Sequence, residues 1–167
     1  MNVKYIFSEE NEVGYDIPVV VISELIANKT LTLIDRKDIE QIWVYEDKTM
    51  DDISVRARIR KTISVGKSAD TAEYEFCTKY YLTKKSRIEL SASALTADEY
   101  KILKHLYRNC EAVNKRRLVL RDKDTPYIYE VDIYQDNPVA RIEVEFNSAQ
   151  DMKTFEPPAW LSKRRKS

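Results

Sequence analysis

Arg56, Arg58 and Arg60 alternate with Val55, Ala57 and Ile59, so all three guanidinium groups lie on one side of any strand that contains them. This period of two recurs along most of the chain and constrains its fold more than any other feature. It is present in Gln41–Tyr45, Ser54–Lys61, Glu73–Tyr81, Ser86–Ser91, Asn114–Leu120, Tyr127–Tyr134 and Val139–Phe146. Short polar stretches such as 47–52, 121–126 and 135–138 separate these runs and have the length that hairpins prefer. Helical spacing is rarer. Thr96 and Glu99 make a capping box for a helix expected to run to about Cys110, with Tyr100, Leu103, Leu106, Tyr107 and Cys110 on its apolar face. Ser148 opens a short second helix that carries Ala149, Met152 and Phe155 and stops at Pro157-Pro158. The segment Pro18–Asn28 reads equally as a helix or, through Val19–Ile22, as a strand. The expectation is an α+β domain, mainly antiparallel β, with one long and two minor helices over residues 1–162 and a frayed basic tail over 163–167.

Composition removes several kinds of chemistry. Two glycines in 167 residues leave no glycine-rich loop to cradle a phosphate. His105 is the only histidine, which argues against histidine metal sites and nucleophile–histidine dyads; within the capped helix it reads as an ordinary surface or half-buried residue. Cys77 and Cys110 make neither a metal spacing nor a disulfide framework. Lys plus Arg and Asp plus Glu both total 28, so net charge announces no nucleic-acid partner. No apolar run approaches a membrane span, no secretory leader is recognised, and a cytoplasmic protein is expected. Chemistry must come from carboxylates, lysine and arginine.

Those residues are patterned. Lys115 and Arg117 share a strand face, as do Glu130 and Asp132, Glu143 and Glu145, and Arg87 and Glu89. A charged face is ordinarily the solvated side of a sheet, but mixed signs on each strand would then be favoured. Here basic and acidic strands are mostly segregated. Turned inward, such faces would require water or a ligand, because dry burial of charge is costly. Grouped guanidinium and ammonium groups fit a polyphosphate, and paired carboxylates fit a hard divalent cation.

The order Val55–Lys61, Lys79, Arg87-Ile-Glu89, a helix, Lys115–Arg117, Glu130-Val-Asp132, Glu143-Val-Glu145 and Phe155–Leu161 resembles the CYTH family of triphosphate tunnel metalloenzymes, over about 41–161. The resemblance implies an eight-stranded closed antiparallel barrel whose lumen binds triphosphates with Mg²⁺ or Mn²⁺. It implies Arg56, Arg58, Arg60, Lys79, Arg87, Lys115 and Arg117 as phosphate contacts. Glu143, Glu145 and Asp132 become metal ligands, and Glu130 and Lys115 catalytic groups. The family's first-strand Glu-x-Glu-x-Lys is missing: Glu10-Asn-Glu12 has the carboxylate spacing, but Gly14 stands where the lysine belongs.

Two functions follow from this resemblance. The leading expectation is a divalent-metal-dependent phosphohydrolase, or a cyclase-like enzyme, acting on a small triphosphate or nucleotide. The other is a degenerate barrel that binds or sequesters nucleotides or polyphosphate. The partner is a small molecule, with no membrane and no nucleic acid except an RNA 5′ end. A third class, a protein-interaction barrel, would use the same charged face against a partner.

Overall fold

The computed structural model describes residues 4–50, 53–66, 71–83, 86–93, 95–164 and 166, with side chains omitted at 4–9, 48–50, 53, 82–83, 86–88 and 90–93. Nine strands and four helices are present among the described residues: β1 (Lys4–Glu9), β2 (Glu12–Pro18), α1 (Val19–Ala27), β3 (Leu31–Met50), β4 (Ile53–Val65), β5 (Thr71–Thr83), β6 (Ser86–Ser93), α2 (Ala97–Leu106), β7 (Ala112–Asp122), β8 (Ile128–Tyr134), β9 (Val139–Glu145), α3 (Ala149–Thr154) and α4 (Ala159–Ser162). The strands pair in the order β1-β6-β5-β4-β3-β7-β8-β9-β2. The α+β class with a dominant antiparallel sheet is as expected.

Strand number and closure differ from the expected barrel. There are nine strands, not eight, and the pairing order has β1 and β2 at its two ends without a closing ladder between them among the described residues. The reason lies at Glu10 and Asn11. The N-terminal run breaks there into two strands, of which β1 pairs with β6 and β2 pairs with β9.

The chain divides into two compact units. The first comprises Met1–Glu10, Ile39–Ile63 and Asp70–Asn114. Its core is Ile42, Ile59 and Tyr100, against which Val44, Tyr74, Phe76, Leu103, Tyr107 and Cys110 pack. The Thr96 hydroxyl accepts from the Glu99 N–H, and the Glu99 carboxylate accepts from the Thr96 N–H, which completes the expected capping box. α2 ends at Leu106, a turn before the expected Cys110, because 107–110 continue in i, i+3 hydrogen bonds from Arg108 to His105 and from Cys110 to Tyr107. Tyr107 and Cys110 still reach the core, whereas Leu106, expected on the same apolar face, is exposed.

The second unit comprises Asn11–Asp38, Ser64–Ala69 and Lys115–Ser167. Alternation works cleanly in β9, where Ala140, Ile142 and Val144 are buried and Arg141 and Glu143 occupy the other face. With Ile17, Leu31, Leu120, Tyr129 and Val131 they form one apolar core. α1 settles the ambiguity of Pro18–Asn28: Ile22 and Leu25, three apart, both point into this core. Ser148 caps α3 through the Asp151 N–H, as its sequence suggests. α4 adds a turn unforeseen in the sequence, since Pro158 starts it rather than only stopping α3, and it delivers Leu161 to the core. The basic tail is tied down in part: Lys166 makes an isolated bridge with Tyr15. No helix is long and apolar enough to cross a membrane among the described residues.

Candidate functional site

In the first unit, β4 sets its three arginines side by side, and each meets a different neighbour. Arg56 pairs with Glu46 on β3 and stacks on Trp43, its guanidinium carbon 5.1 Å from the ring centroid. Arg58 stacks on the same ring at 5.7 Å. Arg60 pairs with Glu75 on β5 at 3.1 Å. Register places Lys79 of β5 opposite Glu89 of β6, and the Lys79 ammonium lies 3.1 Å from Glu89 and 2.6 Å from Glu10. Burial and the adjacent Arg58 guanidinium push the Lys79 ammonium down, yet Glu89 and Glu10 together outweigh them and hold it above its usual range.

Arg58 is the least satisfied of these groups. It is 6% exposed, its Nε has no hydrogen-bond partner among the described residues, and its closest carboxylate, Glu89, is 3.8 Å from Nη2. That distance is an ion pair without a hydrogen bond. Arg56, Arg58, Arg60, Lys79 and Glu89 are thus gathered in one unit by β4, β5 and β6. Arg87 stands opposite Tyr81 in the β5–β6 ladder, and its side chain lies outside the described residues.

The second unit holds the other candidate groups. Arg117 on β7 faces Asp132 on β8, and Glu130 on β8 faces Glu143 on β9. Asp132 accepts from Arg117 through both oxygens, at 2.7 and 2.8 Å, and also from Lys115. Glu130 accepts from Arg117, and Glu143 accepts from Arg141 at 2.6 Å. Burial pushes the Asp132 carboxyl up, but Arg117 and Lys115 overcome that and hold it below the usual carboxylate range. The same carboxylates raise Arg117 against its own desolvation. Glu145 sits at the exposed end of β9, opposite Glu12. Lys115, Arg117, Glu130, Asp132 and Glu143 therefore come together, and Glu145 stands at their margin.

Sequence reasoning missed Arg141, Glu10, Glu46 and Glu75. Arg141 had a readable signal, because it lies two residues before Glu143 and so shares its face. Glu10 carried one too, the Glu10-Asn-Glu12 spacing, but its partner Lys79 lies 69 positions along the chain and is not readable from it. Across the β2–β9 ladder Gly14 faces Glu143, so the position lacking the expected lysine adjoins the carboxylate that Arg141 now holds.

No protein-family model matches the sequence, and no curated protein matches it. Solved structures do match. The inorganic triphosphatase NE1496 aligns with a TM-score of 0.50 at 19% identity, over 93% of this chain and 85% of its own. The PH1819 protein from Pyrococcus horikoshii OT3 gives a TM-score of 0.59 at 16% identity, over 87% and 82% of the two chains. A Bacillus halodurans protein provisionally described as an adenylate cyclase gives 0.58 at 14% identity, over 88% and 85%. Identities this low speak to fold alone. This chain therefore shares its fold with the inorganic triphosphatase NE1496, the PH1819 protein and the Bacillus halodurans protein.

Proposed function

We propose that the chain binds a small triphosphate, free or carried by a nucleotide, through the basic groups of β4 and β5. The observation that carries this reading is Arg58. A buried arginine side chain, 7% exposed and with Nε unmet by any hydrogen-bond acceptor among the described residues, is held at a cost that an anionic ligand would offset. Stacking on Trp43 restrains Arg56 and Arg58, so less side-chain freedom remains to be lost on binding. Arg60 and Lys79 add positive charge alongside, Lys79 being kept protonated by Glu10 and Glu89. Arg87 is a further phosphate contact in this reading.

A metal-dependent phosphohydrolase is the second reading, favoured by a fold shared with an inorganic triphosphatase. It would use Mg²⁺ or Mn²⁺ on Glu143, Glu145 and Asp132, with Glu130 orienting water and Lys115 and Arg117 on the phosphates. The residues present do not fit a ready ion site: among the described residues no three acidic, histidine or cysteine side chains are grouped to hold a metal. Asp132, Glu130 and Glu143 answer Lys115, Arg117 and Arg141 instead. No hydrolytic step follows from that arrangement, and binding is the function the geometry supports best.

Calorimetry with tripolyphosphate tests it. A charge-assisted contact to phosphate contributes about 1.5–3 kcal/mol, so Arg58→Ala should weaken binding roughly ten- to a hundredfold. Arg58→Lys should recover only part, because it keeps the charge and loses the fork. Equal affinities, or no binding by the wild type, would remove polyphosphate from the reading.

A further inference from the structure

Three carboxylates on two neighbouring strands converge on Arg117. Its Nε and Nη2 donate to the two Asp132 oxygens, its Nη1 donates to Glu130 Oε2, and its Nη2 lies 3.7 Å from Glu143 Oε2. Lys115 donates to Asp132 Oδ2, and Arg141 Nε donates to Glu143 Oε1. Five of the six oxygens of Glu130, Asp132 and Glu143 thus face a lysine or an arginine. Ladder register fixes the arrangement, since Arg117 is opposite Asp132 and Glu130 is opposite Glu143. Burial locks it. The side-chain exposure is 3% at Asp132, 5% at Lys115 and 15% at Arg117.

Carboxylate oxygens are the donors that a hard divalent cation takes, although among the described residues these three are not grouped to hold one. Here a guanidinium fills the meeting point. To enter, Mg²⁺ or Mn²⁺ would have to shed part of its hydration shell and also expel Arg117 from a bidentate pair. The displaced guanidinium would then be left unpaired in a buried place. We infer that Arg117 is a built-in substitute for a divalent cation, which closes the Glu130, Asp132 and Glu143 set to metal in the resting protein. Its removal creates a divalent-cation site. This inference concerns the second unit only and holds whether or not the β4 arginines bind polyphosphate.

The test uses Mn²⁺ alone, on the full chain, read by electron paramagnetic resonance and calorimetry. Arg117→Met should bind Mn²⁺ at least about a hundredfold more tightly than the wild type, the factor expected when a buried ion pair no longer has to be broken first. Adding Asp132→Asn to Arg117→Met should abolish the gain. A folded Arg117→Met protein that gains no Mn²⁺ binding overturns the inference. So does saturable Mn²⁺ binding by the wild type that Asp132→Asn or Glu143→Gln removes, an arm that needs no Arg117 variant. If Arg117→Met does not fold, Arg117→Gln, which keeps a donor for Asp132, is read by the same criteria. Tripolyphosphate is absent throughout, so neither outcome depends on the Arg58 result.

Discussion

Asp132→Asn removes the shared acceptor of a deeply buried ion pair. Asp132 is 2% exposed, and it is the common acceptor for Lys115, itself 8% exposed, and for the bidentate fork of Arg117. Asparagine fills the same volume without the charge. Two cations are then left close together in a poorly solvated place, with their shared counter-charge gone. Breaking a buried pair in this way costs about 3–5 kcal/mol. In a chain of 167 residues each kcal/mol lowers the melting temperature by about 2–4 °C, so the variant should melt roughly 6–20 °C below the wild type. Differential scanning calorimetry at pH 7 gives the shift, and urea titration gives the free energy if the m value is unchanged. Lys115→Met combined with Asp132→Asn removes the second charge and should recover part of the loss, giving a coupling of at least about 1 kcal/mol. A single-variant loss under about 1 kcal/mol, or strict additivity in the double variant, would refute the claim that burial makes this pair matter.

Two further predictions concern pH and capping. The native Asp132 carboxyl lies below its unfolded value, so its contribution is complete above about pH 4 and is lost as pH falls through the native value. Urea midpoints of the wild type should therefore drop on acidification below about pH 4, and Asp132→Asn should flatten that limb; parallel profiles would contradict it. Thr96→Ala removes the acceptor for the Glu99 N–H at 3.1 Å and should cost about 1 kcal/mol, with hydrogen exchange accelerated first in the opening turn of α2. An unchanged midpoint with unchanged exchange would show that the cap contributes nothing.

Much of this arrangement is legible in the sequence, because alternation is local. β3 to β9 all lie over runs of period two, and the arginines of β4 and the carboxylates of β8 fall on the faces that the alternation assigns. The runs proved longer than read: Gln41–Tyr45 is the middle of β3, which spans Leu31–Met50. β1 and β2 went unread because Gly14, Pro18 and the paired acidic residues around Asn11 carry turn signals, and only the partners β6 and β9 make strands of them. α1 went undecided for a similar reason, since Val19–Ile22 suits either period until a core on one side selects it. Spacing groups the charges on faces, but it does not name their partners. Spacing shows that Glu130 and Asp132 share a face, yet says nothing of Arg117 reaching both, which depends on the β7–β8 register. Glu143 shows the same limit, since the sequence places Arg141 on its face without showing that the two pair.

The most direct measurement of the central claim is the Arg58 Nε–H resonance in a ¹⁵N–¹H spectrum, assigned by its loss in Arg58→Lys, as tripolyphosphate is added. Nε lacks a hydrogen-bond partner among the described residues, so a phosphate oxygen arriving there changes its surroundings more than at any arginine already paired. The account predicts a saturable shift of this resonance with the same midpoint as calorimetric binding, and only smaller shifts at Arg117 and Arg141. Binding that leaves the Arg58 resonance unmoved, or a titration with no binding at all, would contradict it.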